Sequence, residues 1–173
     1  MIRQTDTTYR QRALELLGER EPMEVLEETP AALGGLVSDH RPEVMRARPC
    51  ADKWTPNEIL GHLADAEWVF GYRLRAILTE DRPALAPFDQ DRWVERSGHN
   101  ERRPADLLGL FGALREFNLS LWEALTPADR LRSGVHETRG EETLELMLRI
   151  TAGHDLCHLA QMTRCLEVIG KRG

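Results

Sequence analysis

Residues 141–170 read EETLELMLRITAGHDLCHLAQMTRCLEVIG. The pattern predicts one long helix from about Glu141 to Ile169, with Gly170 as its C-terminal cap. Alternating steps of four and three residues trace one inward stripe, which consists of Met147, Thr151, His154, His158, Gln161, Cys165 and Val168. Such a stripe, apolar or small except at a few positions, is typical of a helix in a bundle.

Two histidines one turn apart lie on this stripe. Residues four apart on a helix are separated by about 40° of rotation and about 6 Å of rise, so His154 and His158 can reach one shared ion. A third histidine, His62, borders the buried face of the upstream segment NEILGHLADAEWVF at 57–70, and a bundle can place it opposite the pair. Buried imidazoles without partners would cost about 1–3 kcal/mol each, whereas a metal satisfies one nitrogen of each. The spacing favours a three-histidine metal site, with ordinary core packing as the alternative.

The helix that carries His62 has a strong start signal. In the run Thr55-Pro56-Asn57-Glu58, the threonine side chain and the glutamate side chain can each bond the other residue's backbone N–H. Proline at the first helical position loses no hydrogen bond. The helix is predicted to run to about Thr79.

The remaining segments also show helical periodicity. Further helices are predicted at about 7–20, at 22–38 with a kink or break at Thr29-Pro30, at 104–125, and as a short turn at 126–129. The connector at 40–53 and the 81–103 region read as irregular, and the latter is expected to cross the bundle end. The loop at 134–140 has room for a short extended piece. The fold class is therefore all-α, a four-helix bundle, in one domain over residues 1–173.

Composition excludes several function classes. The chain has 173 residues, a net charge of −6 and a pI of about 5.6, so it has no general attraction for nucleic acid or for a membrane surface. Its three cysteines form no CxxC pair, which fits a reducing compartment. The N-terminus is polar and no apolar run is long enough to span a bilayer. We therefore expect a cytoplasmic protein.

Polar residues near the three histidines suit supporting roles. Gln161, one turn beyond His158, could bind a substrate or a water molecule, and is the candidate catalytic residue. Asp65 or Glu58 either accepts an imidazole N–H or faces solvent, and solvent is favoured for Glu58 because the helix cap already explains it. Asp155 lies off the stripe and is expected to be exposed.

Other residues carry weaker signals. Cys157 is either a ligand in a cysteine-containing zinc site or, more simply, a small buried thiol. Trp93, in the 81–103 region, could cover a pocket mouth, although packing is the default for a tryptophan. The other histidines are expected on the surface: His40, His99 and His136. The inward glutamates of a di-iron bundle and the HExxH, GxSxG, GxGxxG and P-loop motifs are all absent from the sequence.

Together the motifs resemble those of the DinB/YfiT-like superfamily. The family pattern is a Trp-[Ser/Thr]-x-x-Glu cap, a histidine inside the following helix, and His-x-x-x-His-x-x-Gln in the last helix. The matching residues here are Trp54, Thr55, Glu58, His62, His154, His158 and Gln161. The resemblance covers nearly the whole chain, whereas the first helix and the 81–103 region agree only in general layout.

The resemblance implies more than the spacing does. It implies a four-helix bundle, often a homodimer, in which His62, His154 and His158 bind a divalent metal such as zinc or nickel, with iron or manganese as alternatives. Relatives include thiol S-transferases and proteins described as metal-dependent hydrolases. We therefore expect a metal-dependent enzyme that activates water or a low-molecular-weight thiol to attack a small-molecule substrate. The alternative is a non-catalytic metal-binding or stress-related bundle protein.

Overall fold

A computed structural model describes residues 7–171. Within these residues there are eight α-helices and one 3₁₀ turn: α1 (Thr7–Leu17), α2 (Pro22–Ser38), α3 (Pro42–Met45), α4 (Pro56–Thr79), α5 (Gln90–Ser97), the 3₁₀ turn His99–Glu101, α6 (Pro104–Glu123), α7 (Pro127–Arg130) and α8 (Leu144–Gly170). The same described part of the chain also contains three short strands: β1 (Ala84–Leu85), β2 (Ser133–His136) and β3 (Gly140–Thr143). Across the described residues, no helix combines the length and apolar composition that a bilayer crossing requires.

The four long helices α2, α4, α6 and α8 form the predicted bundle, but not in an up-down order. Helix α2 packs against α6 and α8, and α4 packs against the same two helices. Helices α2 and α4 therefore occupy opposite corners, as do α6 and α8. The 81–103 region joins two neighbouring helices, so the diagonal connections fall to residues 39–55 and 124–143, contrary to the expected crossing by the long loop.

Local signals account for the start of α4. The Thr55 hydroxyl accepts the Glu58 N–H at 3.0 Å, and the Glu58 carboxylate accepts the Thr55 N–H at 2.8 Å. This capping box satisfies two backbone donors that a helix terminus otherwise leaves unpaired. The predicted start of the helix is thus confirmed.

Helix α2 continues through Pro30 without the expected break. Proline has no N–H, so the Leu26 carbonyl one turn earlier has no helical donor. Arg115 of α6 supplies the missing donor, because its Nη1 lies 2.8 Å from the Leu26 oxygen. A proline inside the helix thus creates the acceptor for a side chain on a neighbouring helix.

The expected irregular regions contain regular structure. The 81–103 region holds β1, α5 and the 3₁₀ turn. Strand β1 pairs in parallel with β2, which pairs antiparallel with β3. Because residues 140–143 belong to β3, the last helix begins at Leu144 rather than at Glu141, with the Thr143 hydroxyl capping it. Gly170 is inside this helix and Lys171 is its cap, so the predicted glycine cap is wrong.

The core consists of two apolar clusters with a polar layer between them. One cluster includes Leu33, Leu60, Leu63, Phe111, Met162 and Leu166. The other includes Leu26, Leu74, Trp122, Met147 and Leu148. Between the two clusters, along α4, α6 and α8, lie buried polar residues: His62, Glu67, Arg115, Asn118, His154, Asp155 and His158.

Candidate metal centre

Three histidines from two helices converge in the bundle core. His62 lies on α4, and His154 and His158 lie one turn apart on α8. Their side chains are almost inaccessible to solvent, at 0%, 1% and 5% exposure. One ring nitrogen of each lies within 4.8 Å of the corresponding nitrogens of the other two. The structure therefore brings together all three histidines that the sequence singled out.

The nitrogen spacing fits a shared ion. The Nε2 atoms of His62 and His154 are 3.1 Å apart. With metal–nitrogen bonds of about 2.0–2.1 Å, two ligands at that separation subtend about 100° at the metal, between the octahedral and tetrahedral values. The donor set itself, three imidazoles, suits zinc, nickel, copper and iron.

Aromatic rings hold the imidazoles in place. The Trp54 ring centroid lies 4.9 Å from that of His62 and 6.3 Å from that of His158. Phe88 stacks on the same His62 ring at 6.4 Å, and Phe70 meets the His154 ring edge-on at 5.6 Å. Phe88 was missed by the sequence reasoning, because only tertiary folding brings the 81–103 region over α4.

The outward-facing ring nitrogens differ in their partners. His158 Nδ1 lies 3.0 Å from the Gln161 side-chain oxygen, so the imidazole donates its Nδ1 hydrogen and leaves Nε2 as a lone pair. The Nδ1 atom of His154 faces the Asp155 carboxylate at 3.9 Å. His62 Nδ1 has no hydrogen-bond partner within residues 7–171, so this ring is oriented by aromatic packing and by the contact of its Nε2 with His154 Nε2 at 3.1 Å. A hydrogen bond at the outward-facing nitrogen, such as that between His158 and Gln161, fixes the tautomer of a metal-binding histidine.

The environment keeps two of the rings neutral. Burial lowers the pKa of His62 and of His158 well below 6.5, and the neighbouring histidines lower both further. Neutral imidazole is the form that binds a metal, since the protonated ring has no free lone pair. At pH 7 these two ligands therefore need not lose a proton before binding an ion.

Asp155 is buried rather than exposed, which corrects the sequence expectation. Its carboxylate accepts a hydrogen bond from Arg115 at 2.7 Å, and Arg115 also bonds Glu67 at 2.7 Å. Burial acts to raise the pKa of Asp155, but the charge of Arg115, its hydrogen bond to the carboxylate and the nearby His154 outweigh it, so that the pKa is lowered. The ionised carboxylate thus joins the histidine site to the buried arginine.

The expected surface positions of His99 and His136 are wrong. His99 is 5% exposed, and its Nε2 bonds Asp65 at 2.8 Å, so Asp65 partners this histidine rather than His62. His136 is 1% exposed, on β2. Burial, followed by the charges of Arg139 and Arg73, lowers the pKa of His136 to about 4. The sequence carried no sign of either burial, because the covering elements come from distant segments.

A cavity of about 370 Å³ opens beside His158. Its wall comprises Arg12, Pro49, Cys50, Lys53, Trp54, Gln90, Cys157, His158, Gln161, Arg164, Cys165 and Val168. Gln161, the candidate catalytic residue, is half-buried there. All three cysteines line the cavity. Trp93 is not in the wall: it packs on Phe88 and Trp68, at centroid distances of 5.1 and 6.4 Å.

Known proteins share this architecture. A solved structure of YfiT from Bacillus subtilis, described as "a probable metal-dependent hydrolase with an unusual four-helix bundle topology", superposes with a TM-score of 0.80 at 29% identity, covering 86% of each chain. In the protein described here, the diagonal order of the four long helices also departs from a simple up-down bundle.

Sequence comparison leads to the same group. The chain is 30% identical over 139 residues, 80% of each chain, to a protein from Oceanobacillus iheyensis, and 29% identical over 149 residues to YfiT, covering 86% of this chain and 84% of YfiT. Both relatives carry the name "Putative metal-dependent hydrolase". The sequence model of the DinB superfamily matches residues 25–162. This chain therefore belongs to the DinB superfamily.

Proposed function

We propose that this protein is a metal-dependent enzyme in which His62, His154 and His158 bind a divalent ion, zinc or nickel in the first instance. Iron or manganese are alternatives. The substrate is a small molecule, and the nucleophile is water or a low-molecular-weight thiol. The observation that carries the proposal is the convergence of three buried imidazoles beside an open cavity.

The chain's own residues define how the site would work. A divalent ion held by the three imidazoles supplies Lewis acidity, which lowers the pKa of a water molecule or thiol and makes hydroxide or thiolate available near neutral pH. Gln161 orients His158 through its side-chain oxygen, and its amide group lies in the cavity wall, where it can donate to a substrate oxygen. Trp54 covers the histidines and restricts access of bulk water.

Hydrolysis and thiol transfer use the same site and differ in the nucleophile. The names of the relatives support hydrolysis, and the resemblance to thiol S-transferases supports transfer. A non-catalytic metal-binding protein would need no cavity next to a ligand, so the cavity beside His158 favours an enzyme.

The first test is the metal content of protein purified without a polyhistidine tag. We expect about one divalent ion per chain by mass spectrometry in the wild type, and at least a tenfold lower occupancy in His158→Ala, because two imidazoles bind much more weakly than three. His40→Ala, at a half-buried histidine outside the cluster, is the matched control and should keep its metal. Equal metal content in the wild type and in His158→Ala would contradict the proposed site.

The second test is turnover by the metal-loaded wild type, with esters and amides for hydrolysis, and with small thiols plus electrophiles for transfer. Activity that needs both metal and thiol identifies a transferase, and activity with metal and water alone identifies a hydrolase. A metal-loaded protein without turnover in either panel would favour the non-catalytic alternative.

We further propose that two copies associate in the cytoplasm as a homodimer. A groove on α4 and α6 is lined by Trp68, Leu110 and Leu114, with Trp93 at one side. Trp68 and Tyr72 are each 59% exposed, and Phe117 of α6 is 62% exposed. Large apolar side chains clustered on one face support a protein–protein contact, and a second copy is the partner that the family resemblance implies.

A further inference from the structure

We propose that the cavity beside His158 selects small molecules that carry a carboxylate or phosphate group. This inference rests on the proposed function only in taking the cavity as the substrate pocket. It identifies a class of substrate that neither the three histidines nor the names of the relatives specify.

The charge of the cavity wall is opposite to that of the protein. Arg12, Lys53 and Arg164 line the cavity, and among the described residues no aspartate or glutamate does. The whole chain has a net charge of −6. A local excess of three positive charges on an acidic protein favours the approach of anions to this opening.

The three cations come from separate parts of the fold. Arg12 lies on α1, Lys53 precedes α4, and Arg164 lies on α8. Burial raises the pKa of the Cys165 thiol in the cavity wall, whereas Arg164 and Lys53 both act to lower it. The charges of Arg164 and Lys53 therefore both act on the Cys165 thiol, which places these two cations near the same part of the cavity wall.

These charges are not neutralised by neighbouring carboxylates. Across residues 7–171, Arg12, Lys53 and Arg164 form no salt bridge, whereas Arg48 close by is paired with Glu58 at 2.8 Å. An exposed cation that has no protein counterion can donate its hydrogen bonds to a bound carboxylate or phosphate.

The arrangement also sets the direction of a bound substrate. Arg12, Lys53 and Arg164 are exposed at the rim, whereas His158 is 5% exposed and lies deeper. Trp54 forms an apolar surface beside His158. A substrate would therefore hold its anionic group at the rim and its reacting bond near the histidines. A cavity of about 370 Å³ is near the lower limit for small-molecule sites, which suits a metabolite rather than a polymer.

The test compares three probes of similar shape: 4-phenylbutyrate, 3-phenylpropylphosphonate as its phosphate analogue, and the neutral 4-phenylbutanamide. Dissociation constants are measured by NMR titration of the wild type, Lys53→Gln/Arg164→Gln, and Arg149→Gln. Arg149 is a matched control because it lies on the same helix and bonds the Gly18 carbonyl instead. Comparison of the two anionic probes shows whether the cavity prefers a carboxylate or a phosphate group.

We expect both anions to bind the wild type about tenfold more tightly than the amide, since each exposed charge contributes roughly a two- to fivefold effect. The double variant should lose most of this preference, since only Arg12 remains, and Arg149→Gln should keep it. Raising NaCl from 50 to 500 mM should weaken binding of the anions but not of the amide. Equal affinity for the three probes, or an unchanged preference in the double variant, would overturn the inference.

The same titrations with His158→Ala separate this inference from the proposed function. If the preference for anions is lost in His158→Ala but kept in the double variant, the anions bind at the histidine site and the cationic rim is not the selector. If the wild type contains no metal, yet the double variant loses the preference, the proposed metal chemistry fails and the anion site stands.

Discussion

At the scale of single residues, one guanidinium on α6 bonds the other three helices of the bundle. Arg115 on α6 bonds the Leu26 carbonyl on α2, Glu67 on α4 and Asp155 on α8, at 2.7–2.8 Å. Its side chain is 2% exposed, and the two carboxylates are as deeply buried. A buried ion pair adds little net stability compared with apolar residues, but removing one partner leaves charges without compensation.

The first residue-scale prediction concerns Arg115→Leu. The substitution should lower the free energy of unfolding by about 3–5 kcal/mol, because Glu67 and Asp155 would remain buried without their cation. Urea denaturation measures the change. Arg103→Leu is the control, since Arg103 forms an exposed pair with Asp106 and its loss should have little effect. A decrease in the free energy of unfolding of less than about 1 kcal/mol for Arg115→Leu would show that Glu67 and Asp155 rearrange or become hydrated when the arginine is lost.

The second residue-scale prediction concerns the pH dependence of stability. The pKa of His136 in the folded state is about 4, below the ordinary value of 6.5, so the unfolded chain binds more protons between these values. Stability should therefore fall as pH falls from about 6.5 towards 4. His136→Asn, which keeps an acceptor near Nδ1, should reduce the loss between pH 7 and pH 5 by about 1–2 kcal/mol, with allowance for solvent screening.

Urea titrations at a series of pH values test this prediction. Leu131→Asn, at a residue that is 75% exposed and does not titrate, serves as the control and should show the same slope as the wild type. A slope for His136→Asn that matches the wild type would mean that His136 takes up its proton equally in the folded and unfolded states.

Periodicity identified the three clustered histidines but misjudged their surroundings. His154 and His158 could be placed by helical steps alone, because a stripe on one helix is a local property. The burial of Asp155 could not, since its partner Arg115 is 40 residues away on another helix. A charged residue off an apolar stripe reads as exposed unless its counterion is known.

At the scale of elements, the contact between α1 and α8 depends on a glycine. A β-carbon built on Gly153 would collide with the backbone oxygen of Ala13. Gly153→Ala should therefore push α1 away from α8 and destabilise the fold by about 1–3 kcal/mol, the usual cost of overpacking. Urea denaturation and the rate of proteolysis within α1 measure the two effects.

A second glycine offers a control of opposite sign. Nothing lies within 4 Å of a β-carbon built on Gly112 of α6. Gly112→Ala should stabilise the protein by about 0.5–1 kcal/mol through helix propensity alone. If both substitutions stabilise to the same extent, the close approach of α1 to α8 does not constrain the fold.

The start of α4 could be predicted from the sequence, whereas the three-stranded sheet could not. The capping box at Thr55 lies within four residues, so the sequence shows it directly. Strand β1 spans two residues, and β2 and β3 span four each, which is too short for alternation to be visible. Pairing of β1 with β2 joins segments about 50 residues apart, and no local pattern reports such a contact.

At the scale of the whole molecule, the exposed apolar groove on α4 and α6 predicts the oligomeric state. We expect the wild type to elute as a dimer in size-exclusion chromatography with light scattering. Trp68→Glu/Phe117→Glu should convert it to a monomer, because charges would be buried at the contact. The control is Leu131→Glu, at a residue that is 75% exposed elsewhere. A monomeric wild type would overturn the homodimer proposal.

The diagonal order of the four helices also bears on how the protein reaches its native state. Because α2 and α4 sit at opposite corners, as do α6 and α8, neither pair can form a helical hairpin as it emerges from the ribosome. Helices from distant parts of the chain must meet before the core closes, and non-local contacts of this kind slow folding. Arg115 can pair with Asp155 only once α8 has been synthesised, so earlier intermediates carry a guanidinium that lacks one of its two carboxylate partners, together with exposed apolar surface. Such nascent chains are natural clients for chaperones.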